Sequence, residues 1–65
     1  MDELIRLLQR ADLARKEGRH GEAEALAREV IARDPSRAAA HTALGAALTQ
    51  LRRSAEAEAA FRAAV

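Results

Sequence analysis

The sequence predicts an all-α fold of four helices, arranged as two consecutive antiparallel helical hairpins. Three observations lead to this prediction. Alanine, leucine, arginine and glutamate dominate the chain, and all four favour helices. Apolar residues recur at the three- and four-residue spacing of an amphipathic helix. Glycine, proline and serine interrupt this pattern at "KEGRHG", "RDPS" and "LRRS", which divides the chain into four segments.

The first helix is predicted to begin after Asp2, because aspartate caps helix N-termini by accepting a backbone hydrogen bond. It is predicted to end before Gly18, since glycine readily takes the conformation that follows the last helical turn. The apolar stripe of this helix comprises Leu4, Leu7, Leu8, Ala11 and Ala14.

The second helix is predicted to begin near Gly21, which leaves His20 in a turn. Glu22 and Glu24 fall in its first turn, where negative charge interacts favourably with the helix dipole. Pro35 ends the helix, because proline disfavours helical geometry at the preceding residue. The apolar stripe comprises Ala23, Leu26, Ala27, Val30 and Ile31.

The third helix is predicted over residues 37–51, approximately, with Ser36 as its N-cap. The fourth is predicted to start at the N-cap Ser54, with Glu56 and Glu58 in its first turn, and to run to the last residue. The predicted connections are three or four residues long. Connections of that length make consecutive helices antiparallel.

An internal repeat appears when the chain is shifted by 34 residues, which places the first "EAEA" on the second. Identical residues then coincide at Arg19 and Arg53, at Glu24 and Glu58, and at Arg28 and Arg62. The glutamate and the following arginine are four positions apart in each copy, a spacing that favours an ion pair on a helix. The predicted helix boundaries coincide under the same shift.

The hairpins follow the pattern W-x2-L-G-x2-Y, then A-x3-F, then P. The second hairpin reads His41-x2-Leu44-Gly45-x2-Leu48, followed by Ala57-x3-Phe61. The first reads Leu7-x2-Arg10-Ala11-x2-Ala14, followed by Ala23-x3-Ala27 and Pro35. On these residues the chain resembles the tetratricopeptide repeat family over essentially its whole length. The resemblance implies one domain over residues 1–65, a short right-handed α-solenoid with repeats at about residues 4–37 and 38–65.

Gly45 stands inside a predicted helix, where glycine costs roughly 1 kcal/mol relative to alanine. The resemblance places Gly45 where the two helices of a hairpin approach most closely, near Ala57. Ala11 and Ala23 form the corresponding small pair in the first hairpin. A leucine at position 45 is therefore expected to unfold the domain, and Phe61→Ala to cost about 3–5 kcal/mol if the ring is buried. The alternative is a glycine that merely kinks or frays the third helix.

Composition argues against several classes of function. Eleven basic and ten acidic residues leave a net charge of +1, and their signs alternate along the chain. This gives no electrostatic case for binding nucleic acid or an anionic membrane. The chain has no cysteine, so it forms no disulfide and no thiolate metal site. Without an apolar stretch that could span a bilayer, we expect a soluble protein of a reducing compartment, the cytoplasm.

Catalytic chemistry finds little support. Nucleophilic catalysis needs a hydroxyl or thiol beside a base. Thr42 follows His41 directly, but adjacent residues on a helix point apart. No histidine lies three or four residues from Asp12, and no glycine-rich phosphate loop is present. We therefore expect no catalytic residues, no metal and no cofactor, and predict that the His41 ring is partly buried in the place of the usual tryptophan.

The resemblance implies a binding surface. In this family the first helix of each hairpin lines a concave groove that captures peptides or helices. The matching positions are Ile5, Leu8, Gln9, Asp12, Arg15, Ala39, Thr42, Ala43, Ala46 and Thr49. We expect a protein segment with apolar side chains toward Ile5 and Leu8. The alternative is that these positions are merely solvated. The basic and amide residues with which some members clamp a terminal carboxylate are not found at the matching positions, so we predict no such clamp.

Two other functions remain open. A homodimer could form through the C-terminal end, where Leu48, Leu51, Phe61 and Val65 are expected to be partly exposed. The chain could also deliver peptide substrates to an enzyme that follows it in a longer protein. Ten arginines against one lysine hint at a GC-rich, bacterial genome, and we expect the chain to be the N-terminal part of a longer protein.

Overall fold

Four α-helices joined by short turns make up residues 2–65, which are the residues described by the computed structural model. They are α1 (Glu3–Lys16), α2 (His20–Arg33), α3 (Ala38–Gln50) and α4 (Ser54–Ala64). α1 packs on α2 and α3 on α4, while α3 also packs on α2 and, less extensively, on α1. The predicted all-α fold of two helical hairpins is confirmed, although α4 stops one residue before the end of the chain. His20 is the first residue of α2 and does not lie in a turn.

Asp2 caps α1 as predicted, with its Oδ1 accepting a hydrogen bond from the Leu4 N–H at 2.8 Å. The predicted caps at Ser36 and Ser54 are wrong. The Ser36 hydroxyl donates to Asp34 Oδ1 at 2.7 Å, because the nearby carboxylate is a stronger acceptor than the helix end is a donor. Ser54 is itself the first residue of α4, since the preceding turn brings Arg53 to the N-cap position.

The turns that close the two hairpins have the same backbone hydrogen bonds, 34 residues apart. After α1, Gly18 N–H donates to Arg15 O at 3.1 Å and Arg19 N–H to Ala14 O at 2.8 Å. After α3, Arg52 N–H donates to Thr49 O at 3.1 Å and Arg53 N–H to Leu48 O at 2.9 Å. This pair of bonds is the Schellman motif, which requires a left-handed residue after the helix. Gly18 supplies it in the first hairpin, with φ +81°, and Arg52 in the second, with φ +62°.

The core is built mainly from alanine. Its larger side chains are Leu7, Leu26, Val30, Leu44 and Leu48, and its alanines are Ala11, Ala14, Ala23, Ala27, Ala40, Ala47, Ala57 and Ala60. Small side chains let the helices approach closely. Leu48 is only 1% exposed, so the expectation that it is partly exposed at the C-terminal end is wrong. It clusters with alanines of α2 and α4, because α3 packs against both helices.

Gly45 lies under the ring of Phe61. A Cβ atom added at Gly45 would lie 2.7–2.8 Å from three ring atoms, closer than real Cβ atoms come. A close approach at this glycine was expected, but the nearest group is the Phe61 ring rather than Ala57. The ring is not buried, since Phe61 is 40% exposed. The condition under which Phe61→Ala would cost 3–5 kcal/mol is therefore not met, and its cost should be smaller.

Candidate functional site

A groove runs between α1 and α3, the first helices of the two hairpins, and is called here the α1–α3 groove. It encloses about 340 Å³ and is lined by Leu8, Ala11, Asp12, Arg15, Ala39, Thr42, Ala43 and Ala46. Seven of these are among the ten positions predicted to form a groove, and the eighth, Ala11, is buried. The helices come together here because α3 packs against α1 as well as α2. That these residues bind a partner remains a prediction.

Three of the ten predicted positions lie outside this lining. Ile5 and Gln9 are exposed on α1. Thr49 lines the neighbouring cavity instead, and its Oγ1 donates to the Gly45 carbonyl at 2.8 Å. The Thr49 hydroxyl is thus already bonded within α3, while its side chain still forms part of a wall.

The neighbouring cavity, the basin, encloses about 670 Å³ where the ends of α1 and α3 meet the start of α2. It is lined by Arg15, Lys16, Gly18, His20, Ala46, Thr49, Gln50 and Phe61. Arg15 and Ala46 also line the α1–α3 groove, so the two cavities form one continuous trough. The sequence interpretation missed Lys16, His20 and Gln50. The 34-residue repeat held a signal, because it places Lys16 and Gln50 at equivalent helix ends.

Asp12 is ion-paired on the wall of the trough. Its carboxylate lies 2.6 Å from Arg15 Nη2 and 3.1 Å from Lys16 Nζ. Hydrogen bonds from these two cations lower the pKa of Asp12 below its ordinary value, so the group is ionised at neutral pH. Two positive charges against one negative charge leave this part of the trough positive. An acidic side chain in a ligand would be favoured there, modestly, because the pairs are exposed.

The two histidines occupy different environments. Among residues 2–65, the buried Nδ1 of His20 has no hydrogen-bond partner, and its ring borders the basin. A buried polar atom without a partner costs free energy that a ligand hydrogen bond could offset. The ring of His41 is half-buried, as predicted, and its Nε2 donates to the Pro35 carbonyl at 2.7 Å. His41 thus ties α3 to the preceding turn.

In the described part of the chain, no three histidine, cysteine or acidic side chains come together as a metal site would require. None of the helices within residues 2–65 is both long enough and apolar enough to cross a membrane.

Comparison with known proteins gives one match. A model of the tetratricopeptide repeat family matches residues 14–65, which include all of α2, α3 and α4. Neither the curated proteins nor the solved structures that were compared with the chain gave a match.

Proposed function

Since this chain belongs to the tetratricopeptide repeat family, whose repeats generally mediate protein–protein interactions, we propose that it binds a segment of a partner protein in the α1–α3 groove. The observation that carries this proposal is the wall that α3 contributes to the groove. Ala39, Ala43 and Ala46 succeed one another along that wall. Because their side chains are small, the backbone of a bound segment can approach α3 closely.

The groove also favours a particular ligand chemistry. Leu8 is half-buried at one end, and Ile5 is exposed on the same helix, so apolar ligand side chains gain most at this end. Toward the other end, Arg15 and Lys16 outweigh the charge of Asp12. We infer a segment with aliphatic residues facing Leu8 and an acidic residue facing Arg15.

Selection from a random peptide display library would test this proposal. Selected peptides should combine aliphatic and acidic residues. Ala39→Arg, which puts a large side chain into the groove, should abolish their binding in a fluorescence anisotropy titration. The matched control is Ala32→Arg, on the exposed side of α2, which should bind like the parent. If Ala39→Arg binds the selected peptides as well as the control does, the groove is not the binding site.

We also infer that the chain has no catalytic activity of its own, as is typical of the family. The support is that three groups which could act as nucleophile or base bond to structural partners. The Ser36 hydroxyl bonds Asp34, the Thr49 hydroxyl bonds a helix carbonyl, and His41 Nε2 bonds Pro35. A role in recruiting substrates for an enzyme elsewhere in a longer protein would use the same groove.

Self-association is a second candidate, favoured by the exposure of Phe61 and Val65 at the C-terminal end. Leu51 is only half-buried and could contribute, whereas Leu48 is too deeply buried to do so. Sedimentation velocity over a wide concentration range tests this candidate. A dimer that Phe61→Ser dissociates would support it, and a monomer at every concentration would exclude it.

A further inference from the structure

The two hairpins meet through an interface whose first half is present a second time. Where α3 packs on α2, it covers residues of α2, and the 34-residue shift maps these residues onto α4. The equivalent pairs are Ala27 with Phe61, Val30 with Ala64, and Ile31 with Val65. Ala27 is fully buried, whereas Phe61 is 40% exposed and Val65 is wholly exposed. Glu58, Phe61, Ala64 and Val65 are called the C-terminal face, which no helix within residues 2–65 covers.

An ion pair accompanies the interface that is already formed. Arg53, from the turn after α3, donates from Nη1 to both carboxylate oxygens of Glu24 on α2, at 2.8 and 2.9 Å. The Glu24 side chain is only 16% exposed and also pairs with Arg28. The second hairpin thus contacts the first through one apolar helix followed by one arginine.

Glu58 is the equivalent of Glu24 under the 34-residue shift. It pairs with Arg62 on its own helix, as Glu24 pairs with Arg28. In the described part of the chain, Glu58 has no arginine corresponding to Arg53. The C-terminal face therefore repeats the receiving side of the interface, in both its apolar and its acidic part.

We propose that the C-terminal face docks a helix of a partner protein. The helix presents small or aliphatic residues on three successive turns and carries an arginine about five residues beyond the last of them. This is the pattern of α3, with Ala40, Leu44 and Leu48 followed by Arg53. The arginine pairs with Glu58, and a small residue lies opposite the Phe61 ring, which is larger than Ala27. This surface is separate from the α1–α3 groove.

A second copy of the chain fits this face poorly. Its α3 is already buried between α2 and α4. At its other end, α1 carries Arg6 and Arg10 at the positions equivalent to Ala40 and Leu44. Stacking that end on Phe61 and its neighbours would desolvate charged side chains against an apolar surface, which is costly. A partner helix with aliphatic residues at those positions avoids this cost.

The chain supplies its own probe. A synthetic peptide of residues 37–54 contains α3 and Arg53, and can be titrated into isotopically labelled protein of residues 1–65. The expected NMR shift changes fall on Glu58, Phe61 and Val65. Glu58→Arg should weaken binding by about two- to fivefold, and Arg53→Glu in the peptide should restore binding to that variant. A peptide of residues 3–20, which carries Arg6 and Arg10 on α1, is the matched control and should not bind.

Several results would overturn the proposal. One is shift changes confined to the α1–α3 groove, and another is binding that Glu58→Arg leaves unchanged. A third is failure of both the α3 peptide and a Leu48→Ala version, which leaves more room for the Phe61 ring. If sedimentation velocity instead shows a dimer that Phe61→Ser dissociates, the face belongs to a second copy.

Discussion

Gly18 and Arg52 occupy the same place in the two hairpin turns, but only glycine suits it. A left-handed backbone costs a residue with a side chain roughly 1–2 kcal/mol, and this cost exceeds the extra freedom that glycine gains on unfolding. Arg52→Gly should therefore raise the free energy of unfolding by about 0.5–1 kcal/mol. Urea denaturation followed by circular dichroism measures the change.

The reciprocal variant is the control for this prediction. Gly18→Arg places a side chain where φ is +81°, with open space around it, so backbone strain is the main effect. It should lower the free energy of unfolding by about 1 kcal/mol. A loss of stability in Arg52→Gly would show that the Arg52 conformation is not strained.

Gly45 and Phe61 should be strongly coupled. In the parent chain, Gly45→Ala brings a methyl group within 2.8 Å of the Phe61 ring, so the ring must move and stability should fall. In a Phe61→Ala background the obstacle is gone, and the same change should stabilise α3 by about 1 kcal/mol, through helix propensity alone. A double-mutant cycle by thermal denaturation checks this reversal of sign. Equal effects in the two backgrounds would contradict the packing described for Gly45.

Prediction at single residues succeeded where the cause is local. The Asp2 cap and the stop at Gly18 depend on a few neighbouring backbone groups, which the sequence displays directly. The Ser36 cap failed because the Asp34 carboxylate competes for its hydroxyl. The exposure of Phe61 depends on what covers α4, and residue type alone does not decide this.

Ion pairs hold the helical elements together at their ends. Arg37 lies 2.9 Å from Asp2 and 3.2 Å from Asp34, so it ties the start of α1 to the turn before α3. The Leu4 N–H and Arg37 lower the pKa of Asp2. Ser36 and Arg37 lower the pKa of Asp34, and Arg53 lowers that of Glu56. All three carboxylates are thus stabilised in their charged form by folding.

These lowered pKa values predict acid destabilisation. A carboxyl group whose pKa is lower in the folded chain contributes stability above its unfolded pKa of about 4 and loses it as the pH falls through the folded value. The melting temperature should therefore be level near neutral pH and fall below about pH 4. Circular dichroism melts from pH 7 to pH 2 measure this. Arg37→Gln removes the partner of two of the carboxylates, so its melting temperature should fall less steeply, and an unchanged slope would contradict this origin.

At the scale of elements, the helices and one wall of the trough could be predicted well. Helical periodicity and the family resemblance located seven of the residues that line the α1–α3 groove. The basin was missed because it forms where three helix ends meet. Side chains such as Lys16 and His20 come together there through tertiary packing, which the spacing along one helix does not encode.

The whole molecule rests on few large buried side chains, and Leu48 and Val30 are the largest that are fully buried. A chain of 65 residues has little stability to lose. Leu48→Ala should cost about 2–5 kcal/mol and leave much of the population unfolded at 25 °C. Far-ultraviolet circular dichroism would show lost helicity. Leu13→Ala, at an exposed position of α1, should stay folded, and a folded Leu48→Ala variant would contradict the central place given to this side chain.

The matched turns also have a consequence for how such a chain can grow. Because the bonds after α1 recur after α3 at an interval of 34 residues, the junctions before His20 and before Ser54 are geometrically interchangeable. A duplicated copy of residues 20–53 spliced between Arg53 and Ser54 would meet familiar neighbours at both seams. The protein therefore carries its own cassette for lengthening, and its size can change in whole units while each end stays as it is.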